Sequence, residues 1–531
     1  MTVLTCAAAL AAVAAASWWI TRGEVSDRRG YFLAGRGLGA TFIAGSLLLT
    51  NLSAEQLVGL NGSAYRYNMS SMAWEVTAAF ATIAMAAWFL PRYLRYGFTT
   101  LPEYLSQRYD EAVRRLSVGL FLAGYGLVTI PSVLYSGAVA VMRFVDVPAI
   151  TGLDYVPALI LTIIGIGVIG ALYAVLGGLR AVAVSDTING AGLLAFGLLV
   201  PSLGLIALGG GSFAAGWQVI TTAAPEKLNA IGAADDPTPF GTIFTGMIFA
   251  NLFYWCTNQY VIQRTLGARS LAEGQKGVIA TGFFKLLVPL LMMIPGVIAF
   301  HLYGPIGESG LPSIDAAYPR LVEDVLPFWL GGLFLAVLLG AVFSSFNSLL
   351  NSAATLFALD LWAPTRRTPP TDAQVICVAK WFGILVAIAS FVAAPLIHFA
   401  EEGLWQIIRI FTGFYNIPTV VIVIFGLATT RVPALGAKLV IGFHVITYAL
   451  LRFVFDDVVT LHFIHQYALL FLAEAAIMLA AARFAPRTAR IAERPAPVDM
   501  TPWRGLVPVS LLLAAGVVAL YVIFSPLGLA A

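Results

Sequence analysis

Long apolar runs, separated by short clusters of Pro, Gly and charged residues, follow one another along the whole chain. Each run has roughly the 20 residues that a helix needs to cross a bilayer. The run at 322–362 is about twice that length, which predicts either one long kinked helix or a helix with an extension outside the membrane. The pattern predicts fourteen spans, at about 2–21, 38–64, 70–91, 116–145, 156–176, 182–208, 239–263, 274–302, 322–362, 374–398, 404–428, 433–452, 457–482 and 505–526.

Composition agrees with this reading of the pattern. Of 531 residues, 60% are hydrophobic and only 11% are charged, whereas soluble domains have about 25% charged residues. The net charge of +3 sits mostly in short loops, so it does not indicate nucleic-acid binding. Cys6, Cys256 and Cys377 are isolated and form no disulfide or metal-ligand pattern. We therefore expect an all-α polytopic membrane protein.

The loop charges predict an orientation. With fourteen spans, alternate loops face the same side, and most basic residues then fall on one side. The positive-inside rule makes that side cytoplasmic and both termini extracytoplasmic, in the plasma (inner) membrane. The segment from Met1 to Trp18 has no Lys or Arg, so we interpret the first apolar run as a span and not as a signal peptide.

Polar residues interrupt several of these spans. Each one alone is typical of contacts between membrane helices, but the 50–56 cluster holds more hydrogen-bonding groups than a lipid-facing helix tolerates. We predict that the helix unwinds there, so that freed carbonyls bind a cation and side chains bind a polar solute. Hydroxyls suit Na⁺, a hard cation. The interruptions are the 50–56 cluster, Glu75, Asp186, Asn251 with Tyr254, Lys285, the 344–352 stretch with Ser344 and Ser345, and Arg409.

Four motifs carry a resemblance to a known family. They are YFLAGRGLGATFIAGSLLLTNLSAEQLVGLNGSAY, GALYAVLGGLRAVAVSD, NLFYWCTNQYVIQRTLGARS and AVFSSFNSLLNSAATLFALDLW. The chain resembles the sodium/solute symporter family over essentially its whole length, and within it the sodium/glucose (galactose) cotransporter branch.

This resemblance implies a leucine-transporter-type core of two inverted repeats with five helices each. A polar interruption in the first helix of each half, at Asn51 and at Asn251, agrees with that arrangement. The implied organisation is an extra helix and loop at 1–37, the first repeat at 38–210, an extracellular loop at 211–238, the second repeat at 239–428 and three further helices at 429–531.

Site residues follow from the resemblance, position by position. It places Na⁺ on the carbonyls of Leu49, Leu52 and Ala341 and on the hydroxyls of Ser344 and Ser345. It places a sugar on Asn51, Gln56, Glu75, Asn251 and Lys285, with Tyr254 as the inner gate, and it gives the outer gate as Leu60, Trp74 and Trp405. Asp186 matches an acidic residue on the sodium route towards the cytoplasm. A second ion could use Asp186 with Asn347 and Ser348, although Asn347 replaces the usual hydroxyl.

Arg409 departs from the family pattern, since sugar carriers of this branch have Gln there. Gln offers a donor and an acceptor, whereas Arg offers only donors and a fixed charge. Arg409 either binds a sugar or polyol directly, or contacts the anionic group of an acidic sugar or other organic anion. We favour a neutral sugar or polyol, because the other polar contacts are those that a hydroxylated solute needs.

Other function classes fit the residues less well. The spans show no nucleophile–base pair or metal cluster, so we do not expect an enzyme. A proton-coupled variant of the same fold stays open, but Ser344 and Ser345 favour Na⁺. The expected partners are a small hydroxylated solute and the lipid bilayer, and no feature of the sequence indicates a protein partner.

Overall fold

A computed structural model describes residues 2–21, 28–307, 310–311, 313–399, 404–456, 458–487 and 495–531. Within these ranges it leaves undescribed the side chains of residues 21, 28–29, 54, 143, 172–178, 404–407 and 409–410. The described residues form helices joined by short connections, as the apolar pattern predicts.

The α-helices are numbered in chain order. The first twelve are α1 Thr2–Thr21, α2 Arg28–Leu33, α3 Ala40–Asn51, α4 Ala54–Arg66, α5 Met72–Val76, α6 Ala78–Ala84, α7 Leu90–Tyr96, α8 Leu101–Arg108, α9 Glu111–Gly124, α10 Ile130–Phe144, α11 Val147–Thr151 and α12 Tyr155–Leu208. The others are α13 Phe213–Thr222, α14 Gly246–Leu252, α15 Gln259–Leu266, α16 Leu271–Met292, α17 Ile294–Tyr303, α18 Ala317–Val325, α19 Gly331–Thr355, α20 Asp372–Ala393, α21 Leu404–Ala428, α22 Ala434–Phe453, α23 Phe463–Phe484 and α24 Leu506–Ile523.

Eleven helical segments in the described part of the chain are long and apolar enough to cross a membrane. Several of them join two helices through a wider π turn, as Tyr125–Thr129 joins α9 to α10. Two shorter apolar helical stretches, Ala40–Asn51 and Tyr155–Ala171, accompany the eleven. The protein is therefore an all-helical, multi-pass membrane protein.

Helix α12 covers two of the predicted spans in one helical stretch. Two positions inside it nevertheless meet the same part of α19, because Gly170 lies against Phe343 and Phe346 while Asp186 faces Ser344. Sixteen residues of straight helix would separate Gly170 from Asp186 by roughly 24 Å along the axis. The stretches on either side therefore lie next to each other, as two spans would.

The structure adds detail to two predicted segments. Of the two alternatives for the 322–362 run, one long kinked helix is wrong, because α18 ends at Val325, Leu326 is extended, and the spanning segment is Phe328–Thr365, with α18 as a separate helix before it. Pro327 explains the interruption, since the residue before a proline is disfavoured in the α conformation. The predicted loop at 211–238 contains α13, whose first turn is capped by the side chain of Ser212.

Helix α19 lies at the centre of the bundle. The most apolar window of its spanning segment is 94% buried inside the protein, and α19 contacts α1, α3, α10 and α12. Its polar residues are thus shielded from lipid by protein, which is where polar groups within a membrane are tolerated.

The contact between α17 and α4 predicts a stability effect at Gly296. A Cβ on this residue would lie 2.1 Å from the carbonyl oxygen of Asn61, a backbone atom that cannot rotate away. Gly296→Ala is expected to destabilise the protein by about 1–3 kcal/mol through overpacking, measured as a lower thermal unfolding midpoint in detergent. Gly442→Ala is the control, since nothing lies within 4 Å of its Cβ position. Equal midpoints for the two variants would contradict the close packing.

Candidate functional site

The 50–56 cluster breaks its helix, as predicted. Helix α3 ends at Asn51 and α4 begins at Ala54, with Leu52 (φ −79°, ψ 80°) and Ser53 (φ −94°, ψ 169°) outside helical geometry. The Ser53 N–H donates to the Asn51 carbonyl at 2.9 Å, and not to Leu49, its partner in a continuous helix. The Leu49 carbonyl is thereby released from the helical ladder and can bind another donor or a cation.

The second break lies at Asn258, in the same predicted span as the polar residue Asn251. Asn251 sits inside intact helix α14, where its amide donates to Thr77 Oγ1 at 2.9 Å. A neighbouring hydroxyl satisfies this amide without unwinding the helix. Asn258 instead follows the π turn Phe253–Thr257 with an extended backbone (φ −77°, ψ 118°), and its Oδ1 accepts from the Tyr125 hydroxyl at 2.5 Å.

A cavity of about 180 Å³ lies between the two broken helices. Polar atoms of both breaks reach it, together with side chains from α16, α19, α21 and α23. Of the residues predicted from the sequence, the cavity wall includes Asn51, Gln56, Trp74, Glu75, Asn251, Tyr254, Lys285 and Ser345.

A buried charge pair dominates one wall of this cavity. Lys285 and Glu75 are 1% and 4% exposed, and the Lys285 ammonium donates to Glu75 Oε2. Gln56 Nε2 donates to the other oxygen, Oε1, at 3.1 Å. The ammonium also lies 5.3 Å from the centre of the Trp255 ring. The pair is neutral as a whole, yet it offers a charged donor and a charged acceptor to a guest.

Tyr254 forms another part of the cavity wall. Its hydroxyl donates to the Thr50 carbonyl at 3.5 Å, a long hydrogen bond, and lies beside Asn51. The ring meets those of Trp255 and Tyr260 edge-on, at 5.3 Å and 5.8 Å between centroids. Tyr254 thus connects the second broken helix to the end of α3 through polar contacts of its hydroxyl and through aromatic packing.

The residues predicted to bind Na⁺ lie where α3 meets α19. Leu49, Leu52 and Ala341 are at most 1% exposed. Ser344 faces Asp186, while Ser345 Oγ is buried and has no hydrogen-bond partner among the described residues. A contact of 3.4 Å between Thr50 Oγ1 and Ser348 Oγ joins the end of α3 to α19. The break thus releases the Leu49 carbonyl, and Thr50 at the end of α3 contacts the hydroxyl-bearing segment of α19.

Arg264 is a residue that the sequence reasoning missed, since it was assigned to a loop. It lies in α15 and is fully buried. Its Nε donates at 3.3 Å to Ser46 Oγ, which in turn donates to Asp186 Oδ2 at 2.6 Å, and its Nη2 donates to Ser348 Oγ. A guanidinium beside Ser348 opposes a second cation there, although Asn347 Oδ1 is buried without a described partner.

The residues predicted as the outer gate lie in different surroundings. Trp74 lines the cavity, whereas Leu60 is 1% exposed and packs in the core outside the cavity wall. The side chains of Trp405 and Arg409 lie outside the described part of the structure. The wall also includes Glu55, a member of the predicted 50–56 cluster, and Thr412, Tyr415, Asn416 and Tyr467, which the sequence reasoning did not select.

Two helices broken within an all-helical membrane protein, with a cavity of mixed polar and aromatic lining between the breaks, are typical of a membrane transporter. The model of the Sodium:solute symporter family matches residues 31–442. The chain belongs to the sodium:solute symporter family, and Na⁺ is its coupling ion.

Relatives and a solved structure agree with this assignment. The chain is 44% identical to Uncharacterized symporter YidK of Escherichia coli (strain K12), over 96% of this chain and 88% of that protein. It is 30% identical to the Sodium/glucose cotransporter of Vibrio parahaemolyticus, over 79% of each. It shares its fold with a Na⁺-coupled sialic acid symporter solved in a substrate-bound, outward-open state, with a TM-score of 0.77, 20% identity, and coverage of 92% of this chain and 99% of that one.

Proposed function

We propose that this symporter imports a neutral sugar or polyol together with Na⁺. The observation that carries this proposal is the Glu75 carboxylate held between Lys285 and Gln56 in the cavity wall. A sugar hydroxyl both donates and accepts, so it can bond the carboxylate and the ammonium at once. Tyr254 and Trp255 add aromatic faces for the C–H surface of a ring, and the relative of this chain named as a glucose cotransporter supports the same choice.

Na⁺ is proposed to bind between α3 and α19. The ligands are the carbonyls of Leu49, Leu52 and Ala341 and the hydroxyls of Ser344 and Ser345. The carbonyl of Leu49 released by the break and the unpartnered hydroxyl of Ser345 support this assignment. Because Asn51 and Ser345 both line the cavity, the ion and the solute share one break, which lets each raise the affinity for the other.

The transport cycle proposed is alternating access in a core of two inverted five-helix repeats, at about 38–210 and 239–428, within fourteen spans. Basic loops face the cytoplasm, and both termini lie on the extracytoplasmic side of the plasma membrane. Tyr254 opens towards the cytoplasm, while Leu60, Trp74 and Trp405 close the outer side.

A tenfold Na⁺ gradient supplies about 1.4 kcal/mol and 100 mV adds about 2.3 kcal/mol per charge. Together they support roughly 500-fold accumulation with one ion per solute.

An acidic sugar or another organic anion is the second candidate, since Arg409 offers a fixed positive charge. Glu55 weighs against it. This carboxylate lines the cavity and contacts the hydroxyls of Ser53 and Ser136, with a distance of 3.5 Å to Ser136 Oγ, and forms no salt bridge with a described basic residue. A second carboxylate facing the solute repels an anion, so the neutral solute is favoured.

Uptake into proteoliposomes tests the proposal. With an inward Na⁺ gradient, we expect accumulation of at least one neutral compound among D-glucose, D-galactose and myo-inositol, and none of D-glucuronate or N-acetylneuraminate. Arg409→Gln is expected to retain neutral uptake, because Gln keeps a donor at this position and adds an acceptor. Uptake that ignores Na⁺ would remove the coupling, and acidic uptake that is lost in Arg409→Gln would establish the anion alternative.

A further inference from the structure

Helices α22 and α23 hold a buried acid–base pair away from the cavity wall. His444 Nδ1 lies 2.5 Å from Glu474 Oε1, and both side chains are fully buried. The other ring nitrogen, Nε2, lies 2.8 Å from the carbonyl oxygen of Gly413 on α21. The pair therefore joins three helices at one point.

The partners determine where the protons are. A carbonyl oxygen can only accept, so His444 Nε2 must carry a hydrogen and donate it to Gly413. One further proton must lie between Nδ1 and Glu474, either on the imidazole or on the carboxyl group. Both arrangements are neutral as a pair and keep the bond to Gly413. Removing either residue leaves the other buried without its partner, which is costly in a membrane protein.

The bond reaches α21 next to an interruption in its backbone hydrogen bonds. Pro418 has no N–H, so the Phe414 carbonyl lacks its usual helical partner. One residue earlier, the Ile417 N–H donates to Asn416 Oδ1 at 2.6 Å. Gly413 also allows close approach, since a Cβ there would lie 2.1 Å from the Tyr448 hydroxyl oxygen. The position of this segment therefore depends on bonds from outside α21.

The same segment forms part of the cavity wall. Thr412, Tyr415 and Asn416, all within three residues of Gly413, line the cavity. Tyr467 also lines the cavity, and it lies on α23 about two helix turns before Glu474. A shift of α21 relative to α22 and α23 would therefore move this wall.

We infer that His444 and Glu474 are positioning residues for the solute. Through Gly413 they fix the weak segment of α21, and so set where Thr412, Tyr415 and Asn416 stand in the cavity. The pair acts on solute binding and leaves the Na⁺ position between α3 and α19 unaffected. The effect on solute binding rests on the proposed function, whereas the effect on the position of the cavity wall does not.

Thiol labelling tests the position of the wall without any solute. Thr412→Cys in a Cys377→Ser background adds a reporter in the cavity, and the remaining Cys6 and Cys256 are buried. In the purified full-length protein, His444→Phe, which cannot donate to Gly413, or Glu474→Met, which cannot bond Nδ1, is expected to change the N-ethylmaleimide labelling rate about fivefold, the effect of one hydrogen bond of about 1 kcal/mol. Gln466→Ala is the matched control, since Gln466 joins α23 to Arg452 of α22 at 2.9 Å without a bond to α21.

Two results would overturn the inference. Either both pair variants fold, by size-exclusion profile, and label at the parental rate, or the Gln466→Ala control changes labelling as much as they do. If His444→Phe does not fold, Glu474→Met decides alone, because it keeps a side chain of similar length without a hydrogen-bonding group. In proteoliposomes without the reporter, the pair variants should raise the KM for the transported sugar about tenfold and leave the half-saturating Na⁺ concentration unchanged. Absence of sugar uptake by the unaltered protein would reject the proposed function, while the labelling result would still stand.

Discussion

Lys285→Ala is expected to abolish Na⁺-driven solute uptake, lowering the initial rate at least a hundredfold. Lys285 is the buried partner of Glu75, and removal of one member of such a pair costs about 3–5 kcal/mol, because the other charge stays buried without compensation. In the resting protein Glu75 then takes up a proton or draws in water, and in either form it no longer offers the solute a charged acceptor beside a charged donor. Initial rates in proteoliposomes, normalised to reconstituted protein, measure the effect.

Lys276→Ala supplies the matched control on the same helix. Lys276 binds Glu273 at 3.1 Å but its side chain is 43% exposed, so its removal should leave uptake close to that of the unaltered protein. Exchanging the two charges, with Glu75→Lys and Lys285→Glu together, should recover part of the folding loss but not the transport. Normal uptake by well-folded Lys285→Ala would show that the solute binds elsewhere.

Ser345→Ala is expected to raise the Na⁺ concentration for half-maximal uptake about tenfold or more. The Ser345 hydroxyl is buried at the junction of α3 and α19 without a described partner. Loss of one oxygen ligand to a cation is comparable to loss of a hydrogen bond to a charged group, about 1.5–3 kcal/mol, and 1.4 kcal/mol is tenfold. The Na⁺ dependence of uptake at saturating solute measures the effect.

Ser352→Ala provides the comparison within the same helix. Ser352 donates to Gln263 Oε1 at 2.6 Å, so its hydroxyl is already occupied in helix packing. Its removal should affect stability and leave the Na⁺ requirement unchanged. A Na⁺ requirement that shifts equally in both variants, or in neither, would contradict the placement of the ion at Ser345.

Much of the fold follows from hydropathy, because a bilayer demands long apolar helices. The break at Leu52–Ser53 was predictable for the same reason, since several polar side chains crowd a short stretch. The break at Asn258 was not. Asn251 and Asn258 look alike in sequence, and only the hydroxyl of Thr77 against one and the π turn before the other distinguish them.

The candidate site was predictable in part. Glu75 and Lys285 are conspicuous as charges deep in apolar runs, and the structure brings them together. Arg264 escaped notice because it lies near the end of a span, where an arginine is normally a loop residue. Its partner Asp186 is on another helix, and no local pattern connects two residues so distant in sequence. Tyr467 was missed because 429–531 was assigned outside the core.

The buried charges also bear on how the empty carrier returns across the membrane. Glu75 is paired with Lys285, and Ser46 links Asp186 to Arg264. Each carboxylate therefore has a basic residue as its counter-charge after Na⁺ has left. In the proposed alternating-access cycle, this internal neutrality would let the unloaded protein reorient with little charge from these two pairs crossing the electric field. The membrane voltage would then act chiefly on the Na⁺-loaded step and drive it inwards.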